Sequence, residues 1–354
     1  MLKYRAGLEA LHTYAIDERD WDIKLDANES PANLPPLVRE RVVNRLSYLA
    51  FNRYPEMGML GLREQIAAEF QLSVDQVLIG NGSSEILIAL CHALGGQGRS
   101  IVFPTPSFSM YGIYAILADS EAVPVNLAPT DFSLSRDKIL QAAEASKANL
   151  IILCNPNNPT GTVIPPEDIE YIVSQAKCLV VVDEAYHEFY GGRSAAGLIG
   201  KYDNLVVART FSKAYSLASA RVGYMLAGEQ VTQMVGKAML PYHVNALSLA
   251  AAEVVYQMRD EFKAGISQTV MERKRMAESL RKFTGITVYP SETNFILIKL
   301  AQAQGLNSYL AERSISIRDF GGAPGLTNCL RISVGTPVEN DTLLQAILEF
   351  LKRG

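Results

Sequence analysis

No apolar run in this 354-residue chain approaches the roughly 20 residues needed to span a bilayer. The opening MLKYRAGLEALHTY lacks the apolar stretch and small-residue cleavage site of a secretory signal, so no leader is expected. Positive charge is not in excess. Against 37 Asp and Glu stand 33 Lys and Arg, a net charge of −4, which removes the basic field that a nucleic-acid partner would require. Only four cysteines occur (Cys91, Cys154, Cys178 and Cys329), and none forms a CxxC pair. They read as reduced, mostly buried thiols of a cytoplasmic protein. The four histidines, His12, His92, His187 and His243, are just as scattered, so no metal site is expected. Internal repeats and low-complexity segments are also missing. What the chain does have is apolar residue: 48% of it, with 20% charged, an ordinary balance for a globular protein with a large core. The length suggests two domains.

Period-2 and continuous apolar runs alternate with helical spacing through much of the chain. Strands are expected at 76–79, 100–103, 121–125, 149–154, 178–182, 204–208 and 222–227, with helical stretches between most of them. Helices are expected at 35–49 and 61–70. This is the signature of an α/β fold, a mostly parallel seven-stranded sheet covered by helices on both faces. Near Pro241 the strand signals stop. A helical stretch over 244–283, broken near Gly265, leads into strands at 293–299, 315–319 and 330–334 and a final helix from Asn340. These form a smaller α+β domain. The expected division is an N-terminal arm and first part of the small domain over 1–40, a large domain over 41–243 and a small C-terminal domain over 244–354.

Chemistry collects where strands of the large domain end, which is where open α/β sheets bind ligands. Stretch 204–224 runs through a buried strand into Arg209-Thr210-Phe211-Ser212-Lys213, with Arg221 eight residues on. A lysine desolvated there can shed its proton and attack a carbonyl, while Thr210, Ser212 and Arg221 hold an anion beside it. Gly80-Asn81-Gly82-Ser83-Ser84-Glu85 follows a strand and opens a helix, which aims free N–H groups at an anion. The same stretch also reads as a glycine turn with a serine cap. After the strand at 100–103, either Phe108 or Tyr111 could stack on a flat ring, or pack in the core. Asn155-Pro156-Asn157-Asn158-Pro159-Thr160-Gly161 demands a rigid turn and could present an amide. Val181-Val182-Asp183-Glu184-Ala185-Tyr186 ends a buried run on a carboxylate, costly unless something cationic or protonated meets it. One ligand uses all five parts, pyridoxal 5′-phosphate. Its phosphate needs N–H groups, hydroxyls and an arginine, its ring nitrogen an acidic partner, and its aldehyde a lysine.

These motifs, with Leu25-Asp26-Ala27-Asn28-Glu29, Arg53-Tyr54-Pro55 and Leu330-Arg331-Ile332-Ser333, span nearly the whole chain. In their order and spacing the sequence resembles the fold-type I pyridoxal-phosphate aminotransferases, most closely the histidinol-phosphate aminotransferases. The resemblance implies that Lys213 carries the cofactor and shuttles the proton, and that Asp183 pairs with the ring nitrogen. It implies that Asn158 and Tyr186 bind the ring hydroxyl oxygen and that Phe108 stacks on the ring. The Ser83 and Ser84 amides, Thr210, Ser212 and Arg221 are implied to hold the phosphate, together with Tyr54 of a partner subunit, hence a homodimer. On the substrate side it implies Tyr14, Asn28, Arg318 for a substrate phosphate and Arg331 for the amino-acid carboxylate. The implied reaction is transamination between L-histidinol phosphate and 2-oxoglutarate in histidine biosynthesis. Threonine-phosphate decarboxylases and aromatic-amino-acid aminotransferases use the same scaffold and remain alternatives. Three positions depart from the family pattern: Phe108 where tyrosine is frequent, Ser219-Ala220 before Arg221, and Ala15-Ile16-Asp17 after Tyr14.

Overall fold

Each expected strand of the large domain forms, within a few residues of its expected limits. In the computed structural model, which describes residues 7–11 and 19–353, the order begins with β1 (Ile23–Leu25), α1 (Pro36–Ser47) and α2 (Leu60–Phe70). Pro36 opens α1 because proline at the first turn presets φ and forfeits no intrahelical bond. The alternating region follows: β2 (Val77–Gly80), α3 (Gly82–Leu94), β3 (Ser100–Thr105), α4 (Met110–Leu117), β4 (Glu121–Asn126) and α5 (Arg136–Ala145). It continues with β5 (Leu150–Cys154), α6 (Pro166–Gln175), β6 (Leu179–Asp183), β7 (Leu205–Thr210), β8 (Gly223–Ala227) and α7 (Glu229–Gly236).

These strands make one seven-stranded sheet in the order β2-β8-β7-β6-β5-β3-β4. All pairings are parallel except those of β8, which runs antiparallel to β2 and β7. The central strands β5, β7 and β8 are buried at every position, which is why β5, β8 and the 205–208 part of β7 read as apolar runs. β4 lies at the edge, where Pro124 costs no inner ladder bond. Beneath the end of β7, Phe211 is fully buried against Tyr224 and Tyr256, at ring-centroid distances of 6.0 and 5.8 Å. Each such aromatic contributes about 1.5–3 kcal/mol by burial alone. Phe211 thereby anchors the loop that carries Ser212 and Lys213.

The remainder comprises α8 (Ala246–Gln257), α9 (Lys263–Arg281), β9 (Thr287–Val288), β10 (Phe295–Lys299), α10 (Ala303–Ala311), β11 (Ile315–Asp319), β12 (Cys329–Ser333) and α11 (Pro337–Leu351). The second sheet has the order β1-β11-β12-β10-β9, so the N-terminal β1 joins the C-terminal strands. Two expectations are corrected here. The 244–283 stretch does not break at Gly265, which lies in the first turn of α9. It breaks at the 3-10 turn Arg259–Phe262, where Phe262 inserts into the large core against Tyr215. α8 packs Leu249, Ala252, Val255 and Tyr256 into the large-sheet core with Val38 and Val42 of α1. α9 instead gives Met276 and Leu280 to the core under the small sheet. The last helix also begins earlier than Asn340, at Pro337. Thr336 caps it by accepting from the Glu339 N–H at 3.3 Å, while the Glu339 carboxylate accepts from the Thr336 N–H at 2.7 Å. Among the described residues, no helix is long and apolar enough to cross a membrane.

Candidate active site

The carboxyl ends of β5, β6 and β7 lie side by side, with Cys154 opposite Asp183 and Asp183 opposite Ala208. Above them is a cavity of about 240 Å³. Lys213, Asp183, Tyr186, Asn158 and Phe108 line it, with Ser83, Ser84, Thr210, Ser212 and Arg221 at one end and Asn28, Arg318 and Arg331 at the other. Two expected residues are not in this group. Tyr14 lies outside the described residues. Tyr54 is 79% exposed and stacks on Tyr242 at 4.4 Å, away from the cavity of its own chain.

The anion end is built by backbone as much as by side chains. Gly82 opens α3 at φ +77°, and a Cβ there would come 2.6 Å from Arg221 Nη2. A Cβ on Gly223 would come 2.3 Å from the Ser83 nitrogen. Only glycine at both positions lets β8, the Arg221 guanidinium and the N-terminus of α3 approach so closely. Arg221 itself sits at φ +53° and donates to Ser212 Oγ and the Ala218 carbonyl, each at 3.2 Å. Thr210 Oγ1 donates to Ser212 Oγ at 3.0 Å. One arginine, two hydroxyls and a helix N-terminus converge here, a ready phosphate cradle.

At the centre, Lys213 Nζ donates to the Ala27 carbonyl at 2.9 Å. Burial, then the positive charges of Arg331 and Arg221, bring its ammonium down to about 7, although Glu29 pulls the other way. The amine is therefore substantially neutral near pH 8. Asp183 is buried at 3% exposure. It accepts from Tyr111 Oη at 2.8 Å and from the Ala185 N–H at 3.2 Å. Burial, with Glu184 adding to it, raises its carboxyl to about 6, against the pull of those two donors. Among the described residues it has no ion-pair partner. By contrast, its neighbour Glu184 is held below the usual carboxylate range by Arg209 at 2.8 Å, despite burial.

At the substrate end, Arg331 donates to Asn158 Oδ1 and to the Asp26 carbonyl, both at 2.6 Å, and lies between the rings of Phe295 and Phe320. Arg318 is its direct cross-strand neighbour. Both line the cavity, so its far end carries two positive charges suited to an anion. Asn28, at φ +53°, donates from Nδ2 to Tyr186 Oη at 3.0 Å, and is itself held by Ser333 and Asn294. Of the three turn asparagines, Asn158 faces the cavity. Asn157 donates to the Pro106 carbonyl and Thr160 Oγ1, and Asn155 accepts from the Ile164 N–H, so these two hold the turn.

Tyr111 does not stack in the cavity. It is fully buried, with its hydroxyl on Asp183 and its ring edge-on to Phe108 at 5.5 Å. Composition offered no way to choose between the two aromatics, because the choice depends on where α4 begins. The carbonyls of Asp26 and Ala27 and the thiol of Cys154 also belong to the site, and a side-chain pattern could not have named the carbonyls. The residues fit pyridoxal 5′-phosphate. An anion cradle, a buried carboxylate lacking a cation and a lysine held close to neutrality share one cavity.

The family model described as aminotransferase class I and II matches residues 21–347. A curated histidinol-phosphate aminotransferase of Caldanaerobacter subterraneus subsp. tengcongensis is 36% identical over 347 residues, covering 98% of each chain. The crystal structure of histidinol-phosphate aminotransferase from Sinorhizobium meliloti in complex with pyridoxal 5′-phosphate superposes with a TM-score of 0.87 at 26% identity, covering 95% of this chain and 92% of that one. L-threonine-O-3-phosphate decarboxylase from Porphyromonas gingivalis superposes with a TM-score of 0.82 at 25% identity, covering 93% and 99%.

Proposed function

The chain belongs to the class I and II aminotransferases, and from that premise we propose that it is a pyridoxal 5′-phosphate-dependent transaminase of histidine biosynthesis. It moves the amino group between L-histidinol phosphate and 2-oxoglutarate, giving imidazole-acetol phosphate and L-glutamate. The observation that carries the reaction type is the placement of Lys213 and Asp183 in one cavity with the Arg221 cradle. Arg318 and Arg331, cross-strand neighbours that both line the cavity, support substrates that bring a phosphate or carboxylate to the far end. The full-length similarity to the Caldanaerobacter protein supports the choice of histidinol phosphate.

When bound, pyridoxal 5′-phosphate supplies an electron-poor ring that takes up the electron pair left as the substrate Cα–H bond breaks. The chain does the rest. Ser83, Ser84, Thr210, Ser212 and Arg221 hold the cofactor phosphate. Asp183 holds a proton at the ring nitrogen, and Asn158 and Tyr186 bind the ring hydroxyl oxygen. Phe108 packs over the ring face. Lys213, held near neutrality because it is buried among positive charges, would take the Cα proton of the substrate as a general base and deliver it as a general acid to the cofactor's C4′ carbon. Arg331 orients the amino-acid carboxylate by a two-pronged contact, with Arg318 toward the substrate phosphate. The purified protein is to be assayed for glutamate formed from histidinol phosphate and 2-oxoglutarate. Release of CO2 from threonine phosphate, or a preference for aromatic amino acids, would replace this substrate assignment.

Arg331→Lys keeps the charge and loses the fork. We expect KM for glutamate to rise about 10–100-fold, the size of one or two charge-assisted hydrogen bonds. Steady-state kinetics check this, and an unchanged KM removes Arg331 from carboxylate binding.

The enzyme acts as a homodimer. Tyr48, Phe51, Tyr54 and Met57 are more than half exposed in one loop, a surface that a second copy would cover. Tyr54 would then reach the partner's cofactor phosphate. Sedimentation at micromolar concentration should give a dimer, and Tyr54→Phe should weaken cofactor retention without dissociating it. A stable monomer with full activity contradicts both statements. Four unpaired cysteines, three of them buried, support a reducing, cytoplasmic location. Fusing the chain to a fluorescent protein tests this, and an extracytoplasmic signal would overturn it.

A further inference from the structure

We infer that Tyr111 is a positioning residue for the reaction, keeping Asp183 ionised and aimed at the cofactor ring through the hydrogen bond from its hydroxyl. The inference rests on the reading that pyridoxal 5′-phosphate occupies this cavity. Tyr111 stands in the first turn of α4, three residues beyond Phe108. Its side chain is fully buried, so its hydroxyl must find a partner inside the protein. It donates to Asp183 Oδ2 at 2.8 Å, with the Cys154 thiol also interacting with it. Oδ1 takes only the Ala185 N–H, at the longer distance of 3.2 Å. Tyr111 is therefore the shorter of two donors that offset the burial of a carboxylate with no ion-pair partner among the described residues.

Other groups facing Asp183 cannot substitute. From β5, Cys154 is a buried thiol that burial pushes up to about 12, and it stays protonated. From α4, Tyr114 is likewise raised by burial. On the strand's own end, Tyr186 is raised by burial, and Glu184 is anionic and opposes the charge on Asp183. A hydrogen bond to the charged form of an acid favours that form. Losing the Tyr111 hydroxyl makes Asp183 hold a proton of its own more tightly. The proton shared with a ring nitrogen then moves toward the carboxylate, and the ring becomes a poorer electron sink. The ring of Tyr111 also meets Phe108 edge-on, 85° between planes, and the turn leading into α4, closed by the Tyr111 N–H on the Phe108 carbonyl at 3.1 Å, positions both.

Tyr111→Phe tests this, because it retains the ring and deletes one oxygen. The readout is binding of pyridoxamine 5′-phosphate to the cofactor-free protein, followed by absorbance across pH, since this ligand needs no covalent bond to Lys213. In the parent, binding weakens as pH falls through the range where Asp183 takes up a proton. In the variant, that midpoint moves up by roughly one to two pH units, the worth of a hydrogen bond to a charged group. Affinity at pH 7 falls about tenfold. A role in packing alone would lower thermal stability and leave the midpoint in place, which overturns the inference. The second comparison is Asp183→Asn against Asp183→Asn/Tyr111→Phe, which also serves if Tyr111→Phe alone does not fold. If the hydroxyl acts through the carboxylate, the two bind the ligand equally. A further tenfold loss in the double variant overturns the inference. If the parent itself does not bind pyridoxamine 5′-phosphate, the cofactor reading fails instead, and the two failures are distinct.

Discussion

Lys213→Ala abolishes transamination. In the proposed mechanism the amine both anchors the cofactor and moves the proton, so the loss should reach at least about 10⁴-fold in turnover. Borohydride treatment of the parent should fix a pyridoxyl group on residue 213, whereas the variant should incorporate none. The fold should persist, because among the described residues the side-chain hydrogen bond lost is the one to the Ala27 carbonyl at 2.9 Å. The pH dependence has a definite sign. Folding lowers the affinity of Lys213 for its proton, from 10.5 to about 7. Between those values the unfolded chain binds more protons, so this group makes stability rise with pH across that window. Below about 7 its burial cost is felt in full. The cofactor-free parent should therefore gain stability from pH 7 to pH 9 relative to Lys213→Ala, as measured by thermal melting of both proteins. A variant that retains the parent's turnover, or that takes up a pyridoxyl group, contradicts the assignment of this lysine.

Asp183→Asn separates chemistry from folding in the same way. The amide matches the carboxylate in shape but cannot hold a ring-nitrogen proton by charge. Turnover should fall about 10²–10³-fold, as for removal of a preorganised electrostatic partner. Here folding raises the group, from 3.8 to about 6. The folded chain thus binds the proton more tightly, and stability from this group declines as pH rises from about 4 to about 6. Above that range an ionised carboxylate is buried with no cation opposite. The neutral amide removes that cost but can accept from only one of Tyr111 and Ala185. The cofactor-free variant at pH 8 should accordingly melt no lower than the parent within a few degrees, roughly one hydrogen bond's worth. Near-normal turnover with a normal fold would mean that Asp183 does not face the ring nitrogen. A collapsed fold would make its role structural.

Burying a carboxylate and an ammonium that, among the described residues, have hydrogen bonds but no ion-pair partner is the opposite of what stability alone would select. That conflict between local cost and retained residue makes the site legible in the linear chain. Lys213 and Asp183 each follow an apolar run, which places them at the carboxyl edge of buried strands whatever the strand order. The same runs announce β5, β6, β7 and β8, because strands covered on both faces need apolar residues at every position.

Other features are out of reach of a linear pattern. Helical periodicity over 244–283 is continuous enough to hide the turn at Arg259–Phe262. The break there is set by Phe262 entering a core built from residues far away in sequence. That Phe108 lines the cavity while Tyr111 serves Asp183 depends on the entry angle of α4, which no local signal encodes. The pairing of Arg318 with Arg331 depends on the register of β11 with β12.

Local chemistry along the chain thus decided which groups are reactive, since desolvation at a strand end follows from the apolar residues before it. Packing between distant segments decided which groups meet. β1 joins β11, Asn28 reaches Tyr186 and Tyr111 reaches Asp183 through contacts spanning tens to hundreds of residues. Such contacts arise from the mutual fit of surfaces, which the order of residues along one strand or helix does not specify.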